Sequence, residues 1–327
     1  RRTYVMRPLR IGVMGCANFA WRSMIPAMIE CNSVNLVALA SRSQDKAQKF
    51  SHRFHCDALV GYETLLSRKD IEAIYIPLPT GIHEEWVVKA LEAGKHLLVE
   101  KSFAENFASA KRMTDLARLK GCLVMENFLF PHHSQHQWVI EKTKKSELGE
   151  IHLFRSTFGF PPLSKDNFRY DPTLGGGALL DAGAYVVKAA QIFLGDNITL
   201  LGAALHYDDK LDVDIYGDAM FSNSNGQVAQ VSFGFNYHYQ CHYEILGTKG
   251  KLVVEKAFTP QPGFSPWVQL ENQDNVERFT LSSDNYYINM LNYFVDTVRT
   301  ETDWHSHLDA ILSQAKLLDE IRIRSFR

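Results

Sequence analysis

At 327 residues, with 46% hydrophobic and 22% charged side chains, the chain has the composition of a globular protein and about twice the length of one typical core. Its formal net charge of −2 offers no basic field for nucleic acid, and its five cysteines, scattered singly with no CxxC pair, argue against a disulfide framework or a zinc site. No apolar run reaches the roughly 20 residues that cross a bilayer. Arg1-Arg2-Thr3-Tyr4 leads into a strand-like segment without a signal-peptide core, so the expected compartment is the cytoplasm.

From Leu9 to about Met125, short apolar runs alternate with longer amphipathic stretches. Leu9 to Met14, Asn35 to Ala40, Ile74 to Pro77, His96 to Val99 and Cys122 to Met125 read as strands. Helices are predicted over Ala20 to Cys31, Glu85 to Ala93 and Ser109 to Leu119. Apolar strands separated by helices imply a parallel sheet covered on both faces, a doubly wound α/β Rossmann domain. Beyond about Glu150 the strands alternate polar and apolar residues, as in Ile151 to Thr157 and Gln227 to Phe233. A hairpin is expected across Gly247-Thr248-Lys249-Gly250. This half reads as an α+β domain with a large open antiparallel or mixed sheet. Its helices are predicted over Gly177 to Leu194 and from about Asp284 to the end, and the domains are expected at 1–126 and 127–327.

Directly after the first strand stands Gly15-Cys16-Ala17-Asn18-Phe19-Ala20, the G-x-G-x-x-G pattern with Ala at its second and third places. The first Gly allows the tight turn, the second place needs a small residue for pyrophosphate to approach, and the third needs one for close helix packing. The helix that follows would aim free N–H groups at the phosphates. An ordinary strand-to-helix turn can show the same residues. The second strand narrows the choice: it ends Ala40-Ser41-Arg42-Ser43, where a binder of NAD usually carries an acid. Arg42, the Ser41 hydroxyl and Lys46 suit a 2′-phosphate, which favours NADP(H).

Three further stretches complete a pattern: Ile76-Pro77-Leu78-Pro79-Thr80-Gly81-Ile82-His83, Val99-Glu100-Lys101-Ser102, and Gly175 to Tyr185 with its triple Gly. With the opening loop they resemble the glucose-fructose oxidoreductase and inositol dehydrogenase family across nearly the whole chain. Within it, the opening loop and Glu126-Asn127-Phe128-Leu129-Phe130-Pro131-His132 look most like the NADPH-dependent sugar 3-ketoreductases of deoxysugar biosynthesis. The resemblance implies reduction of the C3 ketone of a nucleotide-linked keto-deoxyhexose, dTDP being the expected nucleotide. It also implies an active site between the domains, and a second sheet that associates copies into a homodimer or homotetramer. Two departures stand out. The family's usual Glu-Lys-Pro is Glu100-Lys101-Ser102 here, so a cis proline bond cannot be assumed, and many members carry His where this chain has Tyr185.

Reducing a ketone requires a proton for the developing alkoxide and a positive group to stabilise its charge. Tyr185 and Lys101 are the expected pair, because an ammonium close to a phenol favours the phenolate. Asp181, four residues before Tyr185, would share its helix face and orient Lys101 or hold a sugar hydroxyl. Pro77, Leu78, Thr80, His83, Glu100 and Asn127 are expected around the cofactor, with His83 also readable as a packed histidine. Lys101, Asn127, Phe128, His132 and Arg169 are expected at the substrate. His132, His133 and His136 lack the carboxylate pattern of a metal site, and none is expected. Alternatives left open are an NADP-dependent dehydrogenase of a free sugar or trans-dihydrodiol, and a non-catalytic NADP-binding regulator.

Overall fold

A computed structural model describes residues 6–326, so the reading of the extreme N-terminus lies outside the described residues. Six parallel strands form the first sheet: β1 (Leu9–Met14), β2 (Val34–Ser41), β3 (Asp57–Val60), β4 (Ala73–Ile76), β5 (His96–Glu100) and β6 (Val124–Asn127). Their order is β3-β2-β1-β4-β5-β6, which puts the topological switch between β1 and β4. Apart from β3, the strands are nearly solid apolar runs, with Leu9, Val13, Ile74, Ile76, Leu97 and Val99 each at 0% exposure. The edge strand β3 escapes sequence reading because it is short and half solvated, starting at Asp57.

A π-helical turn, Ala20–Met24, precedes α1 (Ile25–Glu30), and α2 (Gln44–Phe54) starts at Ser43, whose side chain accepts from the Lys46 N–H. Then follow α3 (Tyr62–Leu66), α4 (His83–Glu92) and α5 (Phe107–Lys120), the last capped by Asn106 and stopped by Gly121 in the left-handed region.

Eight strands make the second sheet: β7 (Ile151–Gly159), β8 (Thr199–Asp208), β9 (Val213–Ser222), β10 (Val228–Gly234), β11 (Gln240–Gly247), β12 (Gly250–Val254), β13 (Trp267–Asn272) and β14 (Val276–Thr280). Their order is β14-β13-β12-β11-β7-β10-β9-β8. Neighbours run antiparallel except β7 and β10, which are parallel, so the sheet is mixed, and the expected hairpin joins β11 to β12. One face carries Phe154, Val231, Phe233, Tyr243 and Ile245, each under 4% exposed. Helices α6 (Ser134–Lys144) and α7 (Ala184–Leu194) belong to this half, and α8 (Tyr286–Thr300) and α9 (Trp304–Arg324) close the chain.

By length and composition Pro172–Leu194 passes for a membrane span, contrary to the expectation that no run is long enough. Its apolarity has another cause, since most of it is buried and α7 packs on β7 and β10. The chain divides into two compact units, Arg1–Asn127 with Tyr287–Leu312, and Phe128–Tyr286 with Ser313–Arg327. The expected single cut at 126/127 therefore misses a return crossing. Polar ties explain it: Arg299 on α8 pairs with Glu72 at 2.9 Å, Asn292 accepts from the Ser33 hydroxyl at 2.7 Å, and Asp309 pairs with Arg118 at 2.6 Å.

Candidate functional site

In the first unit, the loop after β1 turns at Gly15, whose φ is +113° and where a Cβ would lie 2.8 Å from Leu78 Cδ2. Only glycine suits that backbone and that space. The Gly15 N–H donates to the Ala40 carbonyl, which ties the loop to the end of β2. Cys16, between the first and second glycine places of the motif, touches the Ser41 hydroxyl and lies near Lys46, while burial pushes its thiol up to about 11. Ala17 and Phe19 are half-buried, Asn18 is exposed, and Ala20 is buried. At the end of β2, Arg42 is exposed and hydrogen-bonds the hydroxyl of buried Tyr62. No carboxylate stands at Ser41, Arg42 or Ser43, so the edge suits a phosphate rather than bare ribose hydroxyls.

The loops after β4 and β5 are stitched together through backbone. Thr80 Oγ1 donates to the Ser102 carbonyl at 2.8 Å. The ring nitrogens of His83 lie 2.8 Å from the Phe103 carbonyl and 2.6 Å from the Leu78 carbonyl. His83 is 0% exposed and burial pushes its pKa down. Both ring nitrogens lie within hydrogen-bond distance of backbone carbonyls, as the packed-histidine alternative has it, and the ring braces these loops. The braced segment holds half-exposed Lys101, and the Lys101–Ser102 peptide bond is cis without a proline. Pro77 and Leu78 are buried beneath it.

Glu100, Asn127 and Tyr75 meet where β4, β5 and β6 end. Glu100 Oε1 accepts from the Tyr75 hydroxyl and from Asn127 Nδ2, each at 2.6 Å. Loss of hydration raises the Glu100 pKa against those two hydrogen bonds and the nearby Lys101 charge. Asn127 Oδ1 is buried with no partner. Tyr75 escaped the sequence reading, although a lone hydroxyl inside Ala73-Ile74-Tyr75-Ile76 was a usable signal.

In the second unit, a π-helical turn, Leu179–Gly183, leads into α7, where a plain α-helix was expected. It is started by Asp214 of β9, whose Oδ2 accepts the Leu179 N–H at 2.6 Å. Gly177 has φ +110°, and a Cβ there would overlap that carboxylate. Burial raises the Asp214 pKa, opposed by the backbone N–H groups it accepts. Nothing in the sequence around Asp214 marked it as a helix cap.

Asp181 lies in that turn and its Oδ2 accepts from Arg169 Nε at 2.7 Å. Arg169 is positioned by the glycines, since Gly177 N–H donates to its carbonyl at 2.8 Å and Gly176 leaves no room for a Cβ beside it. Tyr185 is half-buried, its ring 4.9 Å from Phe158, 5.6 Å from Phe258, 6.1 Å from Phe130 and 6.2 Å from Phe128. Phe128, expected at the substrate, is 5% exposed and meets Tyr185 edge-on as one ring of the aromatic wall around the phenol. His132 is half-exposed at the end of a 3₁₀ turn. His136 faces the Tyr243 hydroxyl and the Ala257 carbonyl, each at 2.8 Å, which accounts for both its nitrogens.

The glycine turn without room for a Cβ, the cationic end of β2 and the unpaired Asn127 oxygen fit a phosphorylated dinucleotide. Comparison with known proteins then decides the family. A model described as an oxidoreductase family with an NAD-binding Rossmann fold matches residues 9–128, and the GFO/IDH/MocA C-terminal domain matches residues 136–253. The chain belongs to the GFO/IDH/MocA oxidoreductase family. Among its relatives, a dTDP-3,4-didehydro-2,6-dideoxy-alpha-D-glucose 3-reductase of Saccharopolyspora spinosa is 42% identical over 90% of this chain and 89% of its own. Its counterpart in Actinomadura kijaniata is 38% identical over 96% of this chain and 95% of its own. A crystal structure of a 3-ketoreductase from Actinomadura kijaniata with NADP and TDP-benzene superposes with a TM-score of 0.95, at 38% identity and 98% coverage of both chains. Further structures of that enzyme carry a lysine-to-alanine or a tyrosine-to-phenylalanine substitution.

Proposed function

We propose that this chain is an NADPH-dependent ketoreductase that reduces the C3 ketone of a dTDP-linked keto-dideoxyhexose. The observation that carries this reading is likeness over nearly the full chain, at 42% and 38% identity, to two enzymes named for that reaction. The site chemistry agrees with it. Gly15 to Ala20 hold the pyrophosphate, and Arg42, Ser41 and Lys46 hold the 2′-phosphate. NADPH, when bound, would supply a hydride, one proton with two electrons, for the carbonyl carbon.

Lys101 stabilises the negative charge that develops on the carbonyl oxygen, and Tyr185 delivers the proton that makes the new hydroxyl. The aromatic wall around Tyr185 sets the direction of its hydroxyl, and Asp181 with Arg169 holds sugar hydroxyls. His132 and Asn127 complete the contacts read from the motif. The chain acts as a cytoplasmic homodimer or homotetramer, the first unit carrying the cofactor and the second the sugar. The test is NADPH oxidation with a dTDP-linked 3-keto sugar set against free aldoses and dihydrodiols. Turnover on the nucleotide sugar alone is expected, whereas turnover only on a free sugar or diol would replace this reading with a dehydrogenase.

A further inference from the structure

Three strands of the first unit end side by side with one carboxyl oxygen where they meet. Oε1 of Glu100, the last residue of β5, accepts from the Tyr75 hydroxyl on β4 and from Asn127 Nδ2 at the end of β6, each at 2.6 Å. An amide carries its donors and its acceptor on opposite arms, so committing Nδ2 to Glu100 turns Oδ1 away from it. That oxygen is buried and unpaired, on a residue 2% exposed. Buried acceptors are rarely left so, and one that is points to a donor brought by something else.

The strand order says which donor. Gly15 and Arg42 stand at the ends of β1 and β2, on the phosphate and adenosine side of the switch point, so the other end of a dinucleotide runs over β4, β5 and β6. The donor available there is the N–H of a carboxamide. We propose that Asn127 Oδ1 receives the carboxamide N–H of the bound nicotinamide, and that Tyr75, acting through Glu100, is the positioning residue that keeps this oxygen turned forward. The inference rests on the NADP(H) reading above.

The need for Tyr75 follows from the carboxyl it holds. Glu100 has lost hydration, which pushes its pKa up, and the Tyr75 hydroxyl, Asn127 and Lys101 pull it back. Without the Tyr75 hydroxyl, Glu100 takes a proton more readily and becomes a donor. A carboxylic acid donating to Asn127 Oδ1 would reverse the amide, which would then offer N–H to the cofactor and favour any carbonyl there.

The experiment compares calorimetric binding of NADP+ with that of its acetylpyridine analogue, in which the carboxamide is an acetyl group that keeps the carbonyl and loses the N–H. The wild-type protein is expected to bind the analogue about tenfold or more weakly, the usual effect of leaving a buried acceptor unpaired. In Tyr75→Phe the two affinities should come within about twofold, while the preference for NADP+ over NAD+ stays at its wild-type value. Equal binding of both cofactors by the wild type would overturn the proposal without any variant. So would a Tyr75→Phe protein that keeps the full discrimination. Failure of the wild type to bind NADP+ at all would instead overturn the cofactor reading on which the proposal stands.

Discussion

Tyr185 is held by four phenylalanine rings in its own unit, so removing its hydroxyl should leave the ring where it is. Tyr185→Phe is expected to keep NADPH affinity and lower kcat by roughly two to four powers of ten, the usual effect of a positioned acid. Lys101→Ala should cost as much, and the double variant little more than the poorer single one, because groups acting as a unit are not additive. Single-turnover kinetics would check both, and a Tyr185→Phe enzyme above about a third of wild-type rate would remove the phenol from proton transfer. At the other end of the cofactor, Arg42→Asp places a carboxylate where the 2′-phosphate is expected. NADPH binding should weaken sharply while NADH changes little, as steady-state KM values with each cofactor would report. A wild type that already prefers NADH would contradict the role given to the end of β2.

Helix α6 illustrates an element whose chemistry turned inward. His133 and His136 are 1% and 3% exposed, and burial drives the His136 pKa down to about 3 and that of His133 down as well. An unfolded histidine titrates near about 6.5, so these groups favour the folded state fully above that pH. The contribution disappears as pH falls toward the folded value, by up to about 1.4 kcal/mol per pH unit for each group. Thermal midpoints should therefore hold steady above about pH 7 and decline from about pH 6.5 downward, and His136→Gln should flatten part of that decline. A midpoint unchanged between about pH 7 and pH 5 would contradict the buried-neutral assignment.

Other elements show what the sequence could convey. Apolar runs such as Leu9 to Met14 and His96 to Val99 announced strands because a sheet covered on both faces leaves little choice of side chain. The glycines announced turns because backbone at Gly15 and Gly177 excludes a Cβ. Partners distant in sequence were not legible: Asp214 capping the turn at Leu179, Tyr75 meeting Glu100, and Phe258 walling Tyr185 depend on folding that no local pattern records. His83 was legible only as a choice between cofactor contact and packing, since its motif position does not record the Leu78 and Phe103 carbonyls that its ring nitrogens face.

Across the whole molecule, the second sheet leaves one face outward. Arg155 in β7 pairs with Glu244 in β11 at 2.8 Å and donates to Gln230 in β10 at 3.2 Å, with Met220 and Leu246 at 40% and 39% exposure nearby. This polar ladder with apolar flanks is the face proposed to associate copies, so light scattering at micromolar concentration should give a multiple of 37.2 kDa, and a single species at 37.2 kDa would exclude it. The reaction reduces one carbon of a nucleotide sugar. Its most direct test is to run the reaction with NADPH deuterated at the transferable position of the nicotinamide and a dTDP-linked 3-keto-dideoxyhexose, then locate the label by NMR. Deuterium is expected on C3 of the dTDP-linked product; label at another carbon, or none in the sugar while NADPH is consumed, would contradict C3 reduction.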